Sequence, residues 1–145
     1  RFLAGTGKAV EQAQEILMET AAMADEMSGA CSILYEQMQT DDSAVDSFVE
    51  RCRESLEKQE QNIEAFQNLK KEAEQVSAKS ETGQAVQDAR EEYFSDGLAV
   101  MEDMKKTLEF YIAQNDAFQP LMGPWQRTIR RFSSISRRFM ILRDR

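Results

Sequence analysis

The sequence predicts an all-α protein, an antiparallel helical bundle of three long helices and a shorter C-terminal fourth helix. Six glycines and two prolines among 145 residues are few for a β protein. The abundant residues, Glu, Gln, Ala, Met, Lys and Arg, favour or tolerate helices. In four segments, apolar residues recur mainly at intervals of three and four, which is the helical period. A single domain over residues 1–145 is expected, with helices at about 8–39, 44–79, 84–118 and 125–142.

The first helix follows a lead-in over residues 1–7 and carries an apolar stripe typical of lengthwise packing in a bundle or coiled coil. The stripe comprises Val10, Ala13, Leu17, Thr20, Ala24, Met27, Cys31, Leu34 and Met38. Glu11, Glu15 and Glu19 form a ladder on another face. We interpret the ladder as a solvated surface, with a cation site as the alternative.

The second helix is expected after the turn at residues 40–43, where Ser43 and Asp46 have the spacing of a capping box. Its stripe comprises Val45, Phe48, Cys52, Leu56, Gln59, Ile63, Phe66, Leu69, Ala73 and Val76. A break is expected at residues 80–83. Because one glycine costs only ~1 kcal/mol inside a helix, a continuous helix from Ala44 to Phe118 is an alternative.

The third helix has an apolar face too wide for a seam with two partners, so it should pack against more than one neighbour. The set comprises Ala85, Val86, Ala89, Tyr93, Phe94, Leu98, Val100, Met101, Met104, Leu108, Phe110, Tyr111, Ile112 and Phe118. Gly97 indicates either a close helix contact or a bend.

The C-terminal residues 125–145, the basic segment, follow a loop with two prolines and a glycine. The segment carries seven arginines and one acid, whereas the preceding 124 residues carry 11 basic and 25 acidic residues. Its apolar face comprises Trp125, Ile129, Phe132, Ile135, Phe139 and Leu142. Three interpretations follow: a fourth bundle helix, a helix lying on an anionic membrane, or a helix that binds a partner protein. The candidate binding face comprises Arg130, Arg131, Arg137, Arg138 and Arg143.

Several kinds of chemistry are disfavoured by the composition. The chain has no histidine, the commonest general base and metal ligand. Its two cysteines lack the spacing of a zinc site. We therefore expect no catalytic residue, no metal and no cofactor, and an enzyme of unknown chemistry ranks third among the functions considered. A net charge of −8 argues against nucleic-acid binding.

The two cysteines, Cys31 and Cys52, lie on the apolar stripes of helices 1 and 2. An antiparallel hairpin turning near Asp41 places Cys31 beside residue ~51, so the two thiols should be neighbours in the core. They form either a disulfide or two buried thiols.

Three polar residues, Thr20, Gln59 and Asn115, also fall at stripe positions. They either fix the register of the helices or line a small pocket with Tyr93 and Tyr111.

We expect a non-catalytic interaction or sensor domain. In architecture the chain resembles the helical ectodomains of bacterial envelope lipoproteins and four-helix sensory domains. Leu3-Ala4-Gly5 also resembles the end of a lipoprotein signal, with Thr6 where the acylated cysteine would stand. These resemblances imply an extracytoplasmic location in the cell envelope. The expected partner is a protein, with a homodimer or a membrane surface, contacted through helix 125–145, as alternatives.

Overall fold

The computed structural model describes residues 2–76 and 78–118. They form three helices that all pack against one another: α1 (Phe2–Met38), α2 (Ala44–Glu74) and α3 (Glu81–Phe118). No strand occurs in these two ranges. The prediction of an all-α helical bundle is confirmed. The predicted fourth helix lies outside the described residues.

The first helix begins at Phe2, so the prediction of a lead-in over residues 1–7 is wrong for residues 2–7. The reason is tertiary packing. Thr6 and Ala9 are buried and extend the packed stripe toward the N-terminus. Burial of this face outweighs the helix-propensity cost of Gly5 and Gly7, which is ~1 kcal/mol each.

The turn between α1 and α2 is stabilised by Asp41 rather than by the predicted capping box. Ser43 is the N-cap of α2 but makes no capping bond through its side chain. Its hydroxyl instead donates to Asp41 Oδ1 at 2.7 Å, and its backbone N–H donates to the same oxygen at 2.9 Å. The capping box of Ser43 with Asp46 is therefore wrong, because the serine hydroxyl is used within the turn.

The connection between α2 and α3 is a true break, so the alternative of a continuous helix from Ala44 to Phe118 is wrong. The Gly83 N–H donates to Ser80 Oγ at 3.0 Å, which caps the start of α3. A Cβ at position 83 would lie 3.1 Å from the Cβ of Ala78. Glycine thus permits the tight entry into α3, and α2 ends five residues earlier than expected.

The core consists of two clusters of apolar side chains. One lies at the end where α1 meets α2 and contains Met27, Ala30, Met38, Ala44, Val45, Phe48, Val49, Cys52, Met104 and Leu108. The other lies at the opposite end and contains Ala9, Ala13, Ile63, Phe66, Ala73, Phe94 and Met101. We call these the turn end and the terminal end of the bundle.

A buried polar layer separates the two clusters and joins all three helices. Thr20 Oγ1 donates to Gln59 Oε1 at 3.1 Å, and Gln59 Nε2 donates to the Met101 carbonyl oxygen at 3.0 Å. Sliding one helix past another would leave these buried groups without partners, at a cost of about 1–3 kcal/mol for each group. The layer therefore has the properties expected of a register-fixing device.

Candidate binding groove between α1 and α3

Ion pairs show which flanks of α1 and α3 face α2. On α1, Glu19 and Glu26 lie 3.8 and 2.7 Å from Lys58 and Arg51 of α2. On α3, Asp116 lies 3.5 Å from Arg53 of α2. These flanks therefore face α2, and the remaining flanks of α1 and α3 form a seam between two parallel helices.

The terminal end of that seam is closed. Arg90 of α3 is only 4% exposed and donates to Thr6 Oγ1 of α1 at 3.5 Å and to the Val76 carbonyl oxygen at 3.3 Å. Seven residues along α3, a Cβ at Gly97 would lie 2.6 Å from Phe66 Cζ and 3.4 Å from Leu17 Cδ1. Gly97 therefore marks a close contact of three helices, the first of its two predicted interpretations.

The turn end of the seam is open along both helices. Tyr35 of α1 is 62% exposed, and Val100 and Phe110 of α3 are each 58% exposed. Ala24 and Cys31 are exposed as well. Spacings of seven, seven and four place Ala24, Cys31 and Tyr35 on the same side of α1 as Leu17.

The same geometry applies to α3. Val100 follows Tyr93 by seven residues and precedes Tyr111 by 11, so the three share a face. Across the seam, the Cys31 thiol is near enough to Tyr111 to contribute, after burial, to the raised pKa of Tyr111, and the Phe110 ring lies 6.2 Å from the Tyr111 ring. We call this open surface, formed by Ala24, Cys31, Tyr35 and Val100 with Phe110 at its outer edge, the α1–α3 groove.

The two helices that border the groove each carry a net negative charge. In α1, six residues are acidic and one is basic; in α3, nine are acidic and three are basic. The corresponding numbers for α2 are eight and five. The net charges are therefore −5 for α1, −3 for α2 and −6 for α3, and Arg51, Arg53 and Lys58 of α2 pair with three of the acids of α1 and α3.

The two cysteines occupy different environments. The prediction that both lie in the core is wrong for Cys31, because the buried line of α1 passes through Ala30 instead. Cys52 is buried, and its burial, followed by the nearby Cys31 thiol, raises the pKa of Cys52 to about 11. Both are free thiols in this structure, close enough to interact electrostatically. Their pairing as a disulfide stays a prediction.

The alternative of one small-molecule pocket at the polar stripe residues is wrong. Thr20 and Gln59 bond to each other in the polar layer. Tyr93 and Asn115 are 22 residues apart on α3, which is ~33 Å along the axis. Burial raises the pKa of Tyr93 and also that of Tyr111, whose ring packs 5.6 Å from the Phe48 ring. These side chains therefore do not converge.

The remaining predicted sites are exposed or lie outside the described residues. Glu11, Glu15 and Glu19 are exposed, as expected for a solvated face. Within residues 2–76 and 78–118, no three acidic or cysteine side chains are grouped to hold a metal, and no helix is long and apolar enough to cross a membrane. The candidate binding face of Arg130, Arg131, Arg137, Arg138 and Arg143 lies outside the described residues.

Sequence reasoning missed two features of this region. Arg90 was not singled out because a charged residue at a buried position is rare. The available signal was its position four residues before Phe94 and seven before Gly97, which places it on the packed face. The exposure of Val100 and Phe110 was also not distinguishable from burial, because both belong to the same apolar set.

No protein-family model, curated protein or solved structure matches this chain. Its function must therefore be argued from the groove itself.

Proposed function

We propose that the protein is a non-catalytic interaction or sensor domain whose α1–α3 groove binds an amphipathic helix. The observation that carries this proposal is the row of exposed apolar side chains, Tyr35, Val100 and Phe110, along a seam that is closed at its other end. Exposed aromatic and aliphatic residues beside two packed helices are the usual setting of helix-in-groove recognition.

The dimensions and charge of the groove describe the ligand. From Val100 to the end of α3 at Phe118 the groove runs for 18 residues, or ~27 Å, which accommodates a helix of five turns. The net negative charge of α1 and α3 favours a helix with Lys or Arg on its outer edges. The small side chains of Ala24 and Cys31 leave room for large apolar side chains of the ligand.

In this proposal the domain acts in the bacterial cell envelope, in line with its architectural resemblance to envelope lipoproteins and sensory domains. The neighbouring Cys31 and Cys52 would tolerate an oxidising compartment, where they could form a disulfide. The test is a thiol titration of freshly purified native protein under denaturing, non-reducing conditions. Two free thiols would count against an extracytoplasmic origin.

A membrane-surface module is the second candidate. It is supported by the charge of +6 on residues 125–145 and by Trp125, Phe132 and Phe139 on one face of the predicted helix. In that case the arginines contact anionic lipid headgroups.

Site-specific photo-crosslinking in the producing cell tests the main proposal. The photoreactive residue benzoylphenylalanine replaces Val100 or Phe110 in the groove, or Gln61 on the exposed outer side of α2 as the matched control. We expect a discrete adduct, heavier than the chain, from the two groove positions and none from position 61. Absence of any cross-link from the two groove positions, whether to another protein or within the chain, or equal labelling at all three positions, would reject helix binding by this surface.

A further inference from the structure

We infer that the chain supplies its own groove ligand: residues 125–142 pack into the α1–α3 groove as a fourth helix antiparallel to α3, and a partner must displace them. This inference rests on the proposed function, since it names the occupant of the same groove. It makes the domain self-blocked when no partner is present.

The connection has the required length. α3 ends at Phe118, at the open end of the groove. Six residues, 119–124, join it to the basic segment and reach up to ~20 Å when extended. Packed helices lie 8–10 Å apart, so this link suffices for an immediate return along the groove. The 18 residues 125–142 then span ~27 Å and end level with Val100.

The apolar face of the segment fits the side chains it would meet. Counting back from Phe118 at 1.5 Å per residue, Phe132 comes level with Tyr111 and Cys31. One heptad further, Phe139 comes level with Met104 and Ala24. Each large aromatic residue thus faces a small, exposed residue of α1. This pairing of large with small side chains allows close packing between neighbouring helices.

The opposite net charges of the basic segment and of α1 and α3 also favour the segment as the groove ligand. The segment carries a net charge of +6 and would lie between α1 and α3, whose charged residues sum to −5 and −6. At the turn end, Asn115 Oδ1 is buried without a hydrogen-bond partner among the described residues. An arginine or indole N–H from the start of the segment would supply the donor that this oxygen needs.

Tethering favours the segment over a second copy of the chain. A ligand joined by a short link has an effective concentration in the millimolar range. A separate molecule with the same contacts binds only when its own concentration approaches that value. An external helix must therefore bind better than the segment, or the segment must be drawn away.

Disulfide trapping in the purified full-length protein tests the inference. In a Cys52→Ala background, Cys31 remains as the groove thiol. Phe132→Cys places a second thiol at the same height, and Ser134→Cys places one on the opposite side of the predicted helix as the matched control. Under mild oxidation we expect Phe132→Cys to form an intramolecular bond at least tenfold faster than Ser134→Cys, at a rate independent of protein concentration.

Three outcomes would overturn the inference. Equal rates for the two variants would mean that the segment does not present its apolar face to α1. A cross-link found in covalent dimers would assign the groove to a second copy. Failure to cross-link, together with co-sedimentation of the full chain with phosphatidylglycerol vesicles, would assign the segment to a membrane.

Trp125 gives a second readout that leaves the segment unaltered, because it is the only tryptophan in the chain. We expect its emission to be blue-shifted relative to the unfolded protein, and Tyr35→Asp to reverse most of the shift without unfolding the bundle. Gln61→Asp adds the same charge on the outer side of α2 and should change nothing. An unshifted emission in the native protein would contradict docking of the segment. These measurements use no partner, so they can fail or succeed independently of the cellular photo-crosslinking.

Discussion

The two halves of the α1–α3 seam are built from the same two helices yet differ in how they meet. At the terminal end, Gly97 lets Phe66 and Leu17 pack against the backbone of α3, and Arg90 bonds to Thr6 across the seam. At the turn end, Val100 and Tyr35 project into solvent. The comparison shows that a missing side chain and one buried polar contact close a helix pair, whereas an apolar composition alone does not.

Gly97→Leu should have the largest effect on this contrast. Its Cβ would lie 2.6 Å from Phe66 Cζ, and the Phe66 ring is fully buried and packed 5.1 Å from the Phe94 ring. Overpacking of this kind lowers the free energy of unfolding by about 1–3 kcal/mol, even after the gain in helix propensity. Urea denaturation followed by circular dichroism measures the loss.

The matched control is Gly29→Leu in α1, because a Cβ at Gly29 meets no atom within 4 Å. There the substitution should raise the stability by up to ~1 kcal/mol through helix propensity. If both variants were stabilised alike, the close contact at Gly97 would be refuted.

Arg90→Met should produce a smaller loss at the same end of the seam. The Arg90 guanidinium donates to Thr6 Oγ1 and the Val76 carbonyl oxygen, and removing it leaves the buried Thr6 hydroxyl without this donor. The expected decrease in unfolding free energy is about 1 kcal/mol. Hydrogen exchange should show the loss concentrated in the first turns of α1. The control is Lys106→Met, at an exposed position of α3, whose unfolding free energy is expected to stay within about 0.5 kcal/mol of wild type. If the two variants lost equal stability, the hydrogen bonds of Arg90 would not be what holds α1 and α3 together at this end.

The sequence predicted the class of fold and the buried residues of α2 better than it predicted the exposed residues that form the groove. Stripes at helical spacing indicated most of the buried residues of α2, including Phe48, Gln59 and Phe66. On α1, the same spacing assigned Ala24 and Cys31 to the core, whereas Met23 and Ala30 pack there. Because small residues lie on both sides of the α1 stripe, either neighbouring line of residues can face the core at little energetic cost. The sequence pattern therefore does not decide which line is buried.

The groove itself was not predictable for a related reason. The apolar residues of α3 form one broad set, and periodicity does not show where a neighbouring helix stops covering it. Val100 and Met101 are adjacent in sequence and equally apolar, yet one is 58% exposed and the other fully buried. Only the positions of α1 and α2 distinguish them. Gly97 was the one local signal, because a glycine within an apolar face indicates a close neighbour.

An effect that appears only at high pH concerns the thiols on either side of this boundary. Cys31 lies in the groove, and Cys52 lies in the core with its pKa raised by burial to about 11. A neutral thiol is the form favoured by the folded state, so Cys52 contributes stability that is fully present below its unfolded pKa of about 9 and is lost as the pH rises through about 11. Under reducing conditions, the unfolding free energy should fall more steeply over that window in wild type than in Cys52→Ala. Tyr93, whose raised pKa acts in the same direction, remains in both proteins and cancels in the difference. Tyr111 cancels only in part, because Cys52 contributes, after burial and Cys31, to its raised pKa. Identical pH profiles for the two proteins would mean that Cys52 is not held in an apolar environment. Cys52 would then belong to the groove and not to the core.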